Sequence, residues 1–131
     1  MIDPGQERRL LQIAIAAGSL VPLLAGGLGI LSGAAVTGLD PAPIDLDSHV
    51  RYLSGLLLAI GLAFVASIPA VERHGRRIRL LTAIVFAGGL ARLYGVLLDA
   101  APGAPMLFGL AMELVVTPAL CLWQARIARR Y

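Results

Sequence analysis

Four long apolar runs constrain this chain more than anything else in it. They extend from about Leu10 to Val36, Val50 to Val71, Ile78 to Leu98 and Met106 to Ala125. A helix crossing about 30 Å of hydrocarbon needs about 20 apolar residues, and each run supplies roughly that many. Without water every backbone polar group must be bonded internally, so spans of this length are helices. The longest polar stretch between them, 37–49, leaves no room for a soluble domain. The composition agrees, with 58% of the 131 residues hydrophobic and 15% charged. An ordinary soluble domain carries roughly 25% charge, and a small one needs polar side chains to cover its large relative surface. So apolar and weakly charged a chain is not disordered either. The expected fold is all-α: an integral membrane four-helix up-and-down bundle, forming one domain over residues 1–131.

The connections carry turn chemistry. Asp40-Pro41-Ala42-Pro43 removes backbone donors and breaks any helix. His74-Gly75 interrupts the second connection, and Ala101-Pro102-Gly103-Ala104-Pro105 forms a short, stiff third one. Links this short make sequential helices antiparallel. The first run follows Arg8-Arg9 as a signal peptide would, but it exceeds an h-region of about 7–15 residues. It is read as a retained helix, kinked at Pro22 where a carbonyl loses its donor.

Direction follows from the arginines. All eleven basic residues are arginine, and the net charge is +3. Nine of the eleven gather at one side: Arg8 and Arg9, then Arg73, Arg76, Arg77 and Arg79, then Arg126, Arg129 and Arg130. The opposite loops hold Asp40, Asp45, Asp47 and Asp99. The positive-inside rule then puts both termini in the cytoplasm, and the localisation expected is an inner (cytoplasmic) membrane. Clusters placed between apolar spans do not form the basic patch of a nucleic-acid binder, so no nucleic-acid partner is expected.

Membrane helices associate through close packing at small residues and through polar contacts. Small residues recur at every fourth position: Ala25, Gly29 and Gly33; Gly55, Ala59, Ala63 and Ser67; Ala83, Ala87, Ala91 and Gly95. Two readings stand, packing within one bundle and a face for dimerisation. Tyr52, Trp123 and Tyr131 fall near the ends of runs, where aromatic residues anchor helices at the interface.

Two charges are left over inside the spans, Arg92 and Glu113. A charge at that depth costs at least about 2.5–3.5 kcal/mol on insertion scales, so it is expected to face a partner. Arg92 precedes Asp99 by seven residues and Glu113 follows Pro105 by eight. At about 1.5 Å per residue both lie roughly 10–12 Å below the same surface. Antiparallel neighbours would bring them together. Arg51, at the outer end of the second run, either snorkels to the headgroups or turns inward to join them. Ser54 shares the face of Arg51, Asp99 shares that of Arg92, and Thr117 lies one turn from Glu113. With Arg51 unneutralised, the cluster is a cationic site for an anion or a lipid headgroup; with Asp99 or Asp47 included, it is neutral and structural. Pro118 leaves the Leu114 carbonyl without its helical donor.

Other motifs are bland. Arg73-His74-Gly75 is spelled like a phosphatase tripeptide but has no α/β domain around it. His49 and His74 sit at interfaces, which speaks against a bis-histidine haem. Cys121 lies alone in an apolar run and behaves as a small hydrophobe. No phosphate loop, metal-ligand pair or nucleophile elbow occurs in the sequence. The expectation is a protein without cofactor, metal or catalytic residues, and not an enzyme.

Three stretches carry a resemblance: Arg51-Tyr52-Leu53-Ser54-Gly55, Gly88-Gly89-Leu90-Ala91-Arg92-Leu93-Tyr94-Gly95 and Met112-Glu113-Leu114. Over about residues 45–127 the chain resembles a bacterial family of small four-helix integral membrane proteins classed as a domain of unknown function. The resemblance implies four helices, with Arg51, Arg92 and Glu113 as the polar positions, and it implies no activity. The functional expectation is an accessory or structural subunit binding a partner membrane protein, a second copy of itself, or lipid. The alternative is a small proton-coupled transporter using Glu113.

Overall fold

The computed structural model describes residues 3–98 and 102–131. Asp99, expected to contribute to the charged cluster, lies outside the described residues. These are all helix, turn and loop, with no strand among them. Four helices are long and apolar enough to cross a membrane: α1, continued by a 3-10 turn (Pro4–Thr37), α2 (Ile44–Val65), α3 (Gly75–Leu98) and α4 (Ala104–Ala128).

The expected boundaries shift for identifiable reasons. Apolar runs mark only the hydrocarbon part of a helix, whereas α1, α3 and α4 extend into their charged ends. The second helix moves as a whole, to Ile44–Val65 instead of 50–71. Pro43 fixes its start, and Asp45 and Asp47 occupy the first turn, where the helix dipole favours negative charge. At the other end Pro69 disfavours helical backbone at the residue before it. Val71 therefore sits in the following turn, fully buried.

Two compact units make up the chain, Ala16–Ala66 and Met1–Ile15 with Ser67–Tyr131. The first holds most of α1 and all of α2. A β-carbon at Gly26 would fall 2.7 Å from the Leu58 nitrogen and 2.8 Å from the Ser54 carbonyl oxygen. One at Gly29 would collide with the Ser54 side chain, and Leu23 and Pro22 lie against Gly61. Contacts that climb α1 while descending α2 define an antiparallel pair whose backbones touch at glycine. The helix runs on through Pro22 without a break. The 3-10 turn Gly33–Thr37 ends it, and Gly38, at φ 81, reverses the chain in the left-handed region that glycine favours.

In the second unit α3 and α4 are antiparallel. Gly75 lies beside Gln124, and Gly89 beside Glu113 and Leu114. Pro105 occupies the first turn of α4, where its missing N–H costs nothing. From Met112 to Val116 the helix widens into a π turn. The start of α1 belongs to the same unit and is tied to it by polar side chains.

Candidate functional site: paired charges on the membrane helices

The α3–α4 contact holds the two intramembrane charges. Arg92 donates from Nε to Glu113 Oε2 and from Nη2 to Oε1, each at 3.0 Å. This is the two-pronged geometry in which a guanidinium matches a carboxylate. The Glu113 side chain is 19% exposed and that of Arg92 41%. Two glycines make the approach: Gly89 lets α4 come close at Glu113, and the guanidinium lies over Gly109, 3.6 Å from where a β-carbon would be.

Glu113 is the second residue of the π turn. The Thr117 N–H bonds to the Met112 carbonyl, five residues back, and its hydroxyl donates to the same oxygen at 2.7 Å. Pro118, next in the chain, has no N–H to offer. The wide turn thus sits where the sequence already removes a donor. Such turns within α-helices are frequent at functional sites.

Arg51 finds its partners in the other unit. Its Nε donates to Asp47 Oδ2 at 2.8 Å, and its Nη1 to the Ile30 carbonyl near the end of α1. Asp47 in turn accepts from the Ala34 N–H at 2.9 Å. Asp47 and Arg51 are an i,i+4 pair that caps the carbonyl end of α1. Of the expected contributors, Ser54 packs against Gly29 and Thr117 braces the π turn.

The arginine-rich end contains a network that arginine counting missed. Glu7 is 8% exposed. It accepts from Trp123 Nε1 at 3.2 Å and pairs with Arg126 and Arg130. Arg8 donates from Nε to Glu72 at 2.7 Å and from Nη2 to the Pro69 carbonyl. Burial pushes the Glu72 carboxyl up, but the Arg8 hydrogen bond and charge outweigh it and hold the group below its ordinary value. Gln12 donates to the Ile68 carbonyl, and Gln124, fully buried, donates to that of Val71. One signal was available: Asp3, Glu7 and Glu72 are the only carboxylates among nine arginines at that end. Among the described residues no group of three His, Cys, Asp or Glu side chains is placed to hold a metal.

Four apolar spans, with charges paired along and between helices, define a small multi-pass, all-helical membrane protein. The chain belongs to the family described as Domain of unknown function (DUF4345), whose model matches residues 10–124. Neither a curated protein nor a solved structure matches it.

Proposed function

We propose that the protein is an accessory or structural subunit of a membrane assembly, with α3 offering its small-residue face to a partner. The observation that carries this reading is how the rows of small residues are used. On α1, Gly29 and Gly33 are buried and would clash with α2 if enlarged. On α3, Ala83, Ala87 and Ala91 are exposed, and a β-carbon at Gly88 or Gly95 would meet nothing within 4 Å. Small residues let helix backbones approach closely in lipid. A row free on α3 suits a helix of a partner membrane protein or of a second copy. The arginine distribution supports cytoplasmic termini, and the resemblance to a bacterial family supports an inner membrane as the setting.

The paired charges support a structural role over the proton-coupled alternative. Both Glu113 oxygens are held by Arg92, so a carrier would release two charge-assisted bonds in every cycle. Purification in a gentle detergent tests the assignment. A stoichiometric partner, lost in Ala87→Leu/Ala91→Leu, is expected. A clean monomer stabilised by a transported solute would sink the subunit reading.

A further inference from the structure

The nine arginines at the charged end do not all do the same work. Arg8, Arg126 and Arg130 are consumed internally, neutralised by Glu72 and Glu7. The remaining carboxylate there, Asp3, accepts from the Gly5 N–H. Arg73, Arg76, Arg77 and Arg79 are exposed, and their guanidiniums make no hydrogen bond or salt bridge among the described residues, although the Arg73 charge helps hold the Glu72 carboxyl down. They bracket the first turn of α3, which contains no acidic residue. That placement is unfavourable, because the helix N-terminus is already positive and its first N–H groups lack partners. A negative group outside the chain would relieve both.

The surroundings identify its source. Leu80 lies four residues beyond Arg76 and three beyond Arg77, on the same side of α3, and is 63% exposed. Ile84, one turn further, is 46% exposed. The free guanidiniums therefore sit directly at the edge of an apolar surface that faces outward along the span. An acidic protein or a soluble anion would match the charge and leave that column bare. An anionic phospholipid matches both, with its phosphate at the arginines and its acyl chain along Leu80 and Ile84. The geometry points to a site for an anionic lipid headgroup at the start of α3, formed by Arg73, Arg76 and Arg77. Ile84 lies one turn from Ala87 and Gly88, so the acyl column borders the small-residue row, but the arginine site does not depend on what that row binds.

Native mass spectrometry of the full chain, purified in neutral detergent and supplied with phosphatidylglycerol or phosphatidylcholine, tests this. Wild type should retain phosphatidylglycerol in preference to phosphatidylcholine, and retention should fall with salt. Each arginine lost should weaken binding about fivefold, so R73Q/R76Q/R77Q should abolish the preference. The lysine triple should restore most of it. An R9Q/R129Q control should keep it. Equal retention of both lipids by wild type would overturn the proposal, as would an unchanged triple glutamine variant. Displacement of the lipid by millimolar inorganic phosphate or by an acidic peptide would also overturn it. Should the triple variant fail to fold, the salt dependence of wild-type retention decides alone, and a salt-independent preference is fatal.

Discussion

Arg92 and Glu113 are joined by two parallel hydrogen bonds, Nε to Oε2 and Nη2 to Oε1, across the α3–α4 contact. Breaking one side of such a pair leaves a charge in a low-dielectric setting without compensation. Arg92→Gln and Glu113→Gln should each therefore destabilise the protein by about 3 kcal/mol, the low end for a broken buried pair, because Arg92 is partly exposed. The double variant should be more stable than the sum of the singles implies, with a coupling of about 1–2 kcal/mol, at the upper end for polar contacts in membranes. Unfolding in a denaturing-detergent titration measures this. Strict additivity would mean that the two bonds contribute nothing specific.

Thr117 braces the turn that carries Glu113. Its hydroxyl bond to the Met112 carbonyl is removed in Thr117→Val, while the backbone bond to the same oxygen remains. The expected loss is about 0.5–1.5 kcal/mol, the net worth of one hydrogen bond. Because the turn positions Glu113, the Arg92–Glu113 coupling measured in a Thr117→Val background should also shrink. An undiminished coupling would separate the turn from the pair.

The legible part of this site was the part that follows from counting. Depth along a helix depends only on rise per residue, so placing Arg92 and Glu113 at one level required no knowledge of packing. The π turn is different: Thr117 and Pro118 are visible in the sequence, but widening depends on how α4 settles against α3. Arg51 shows a second limit. Its partner Asp47 is one of the carboxylates the sequence offers and lies only one helical turn away, but the apolar pattern starts at Val50 and does not mark that turn as helix. Glu7 shows a third, because orientation rules count charges without asking which neutralise one another. Val71 belongs to the second apolar run but lies beyond the helix, because an apolar residue in a buried turn looks the same as one in a span.

Glycine contacts divide sharply. At Gly26 a β-carbon would press on the Leu58 and Ser54 backbone, which cannot move aside as a side chain can. Gly26→Ala should cost about 1–3 kcal/mol, the usual range for overpacking. Gly55→Ala and Gly88→Ala meet nothing within 4 Å and should be neutral or slightly stabilising, since alanine favours helix by about 1 kcal/mol over glycine. Thermal unfolding of the three variants side by side is the check. Equal losses would place the α1–α2 contact elsewhere.

Acid should act through Glu72. Its carboxyl is raised by burial but lowered further by Arg8, ending below its ordinary 4.5. A depressed folded value stabilises the fold above the unfolded value, and the contribution disappears as pH falls through the folded one. Wild type should thus lose stability below about pH 4.5 more steeply than Glu72→Gln, which has no such proton to bind. Stability profiles from about pH 3 to pH 6 would show this. Parallel profiles would mean that the Arg8–Glu72 pair is not linked to folding.

Glu7 can be dissected with a built-in reporter, since Trp123 is the chain's single tryptophan. The carboxylate serves two kinds of donor, the indole N–H and the guanidiniums of Arg126 and Arg130. Glutamine retains an oxygen for the indole but loses the charge. Glu7→Gln should therefore leave Trp123 emission close to wild type while exposing the chain beyond Trp123 to faster proteolysis. Glu7→Ala removes both, so emission should move to longer wavelength as the indole gains water, and cleavage should be faster still. The order of the two variants is the informative result. If glutamine shifted the emission as far as alanine, the charge rather than the hydrogen bond would be holding the indole. If neither variant changed proteolysis, the ion pairs to Arg126 and Arg130 would not fasten the end of α4 to α1.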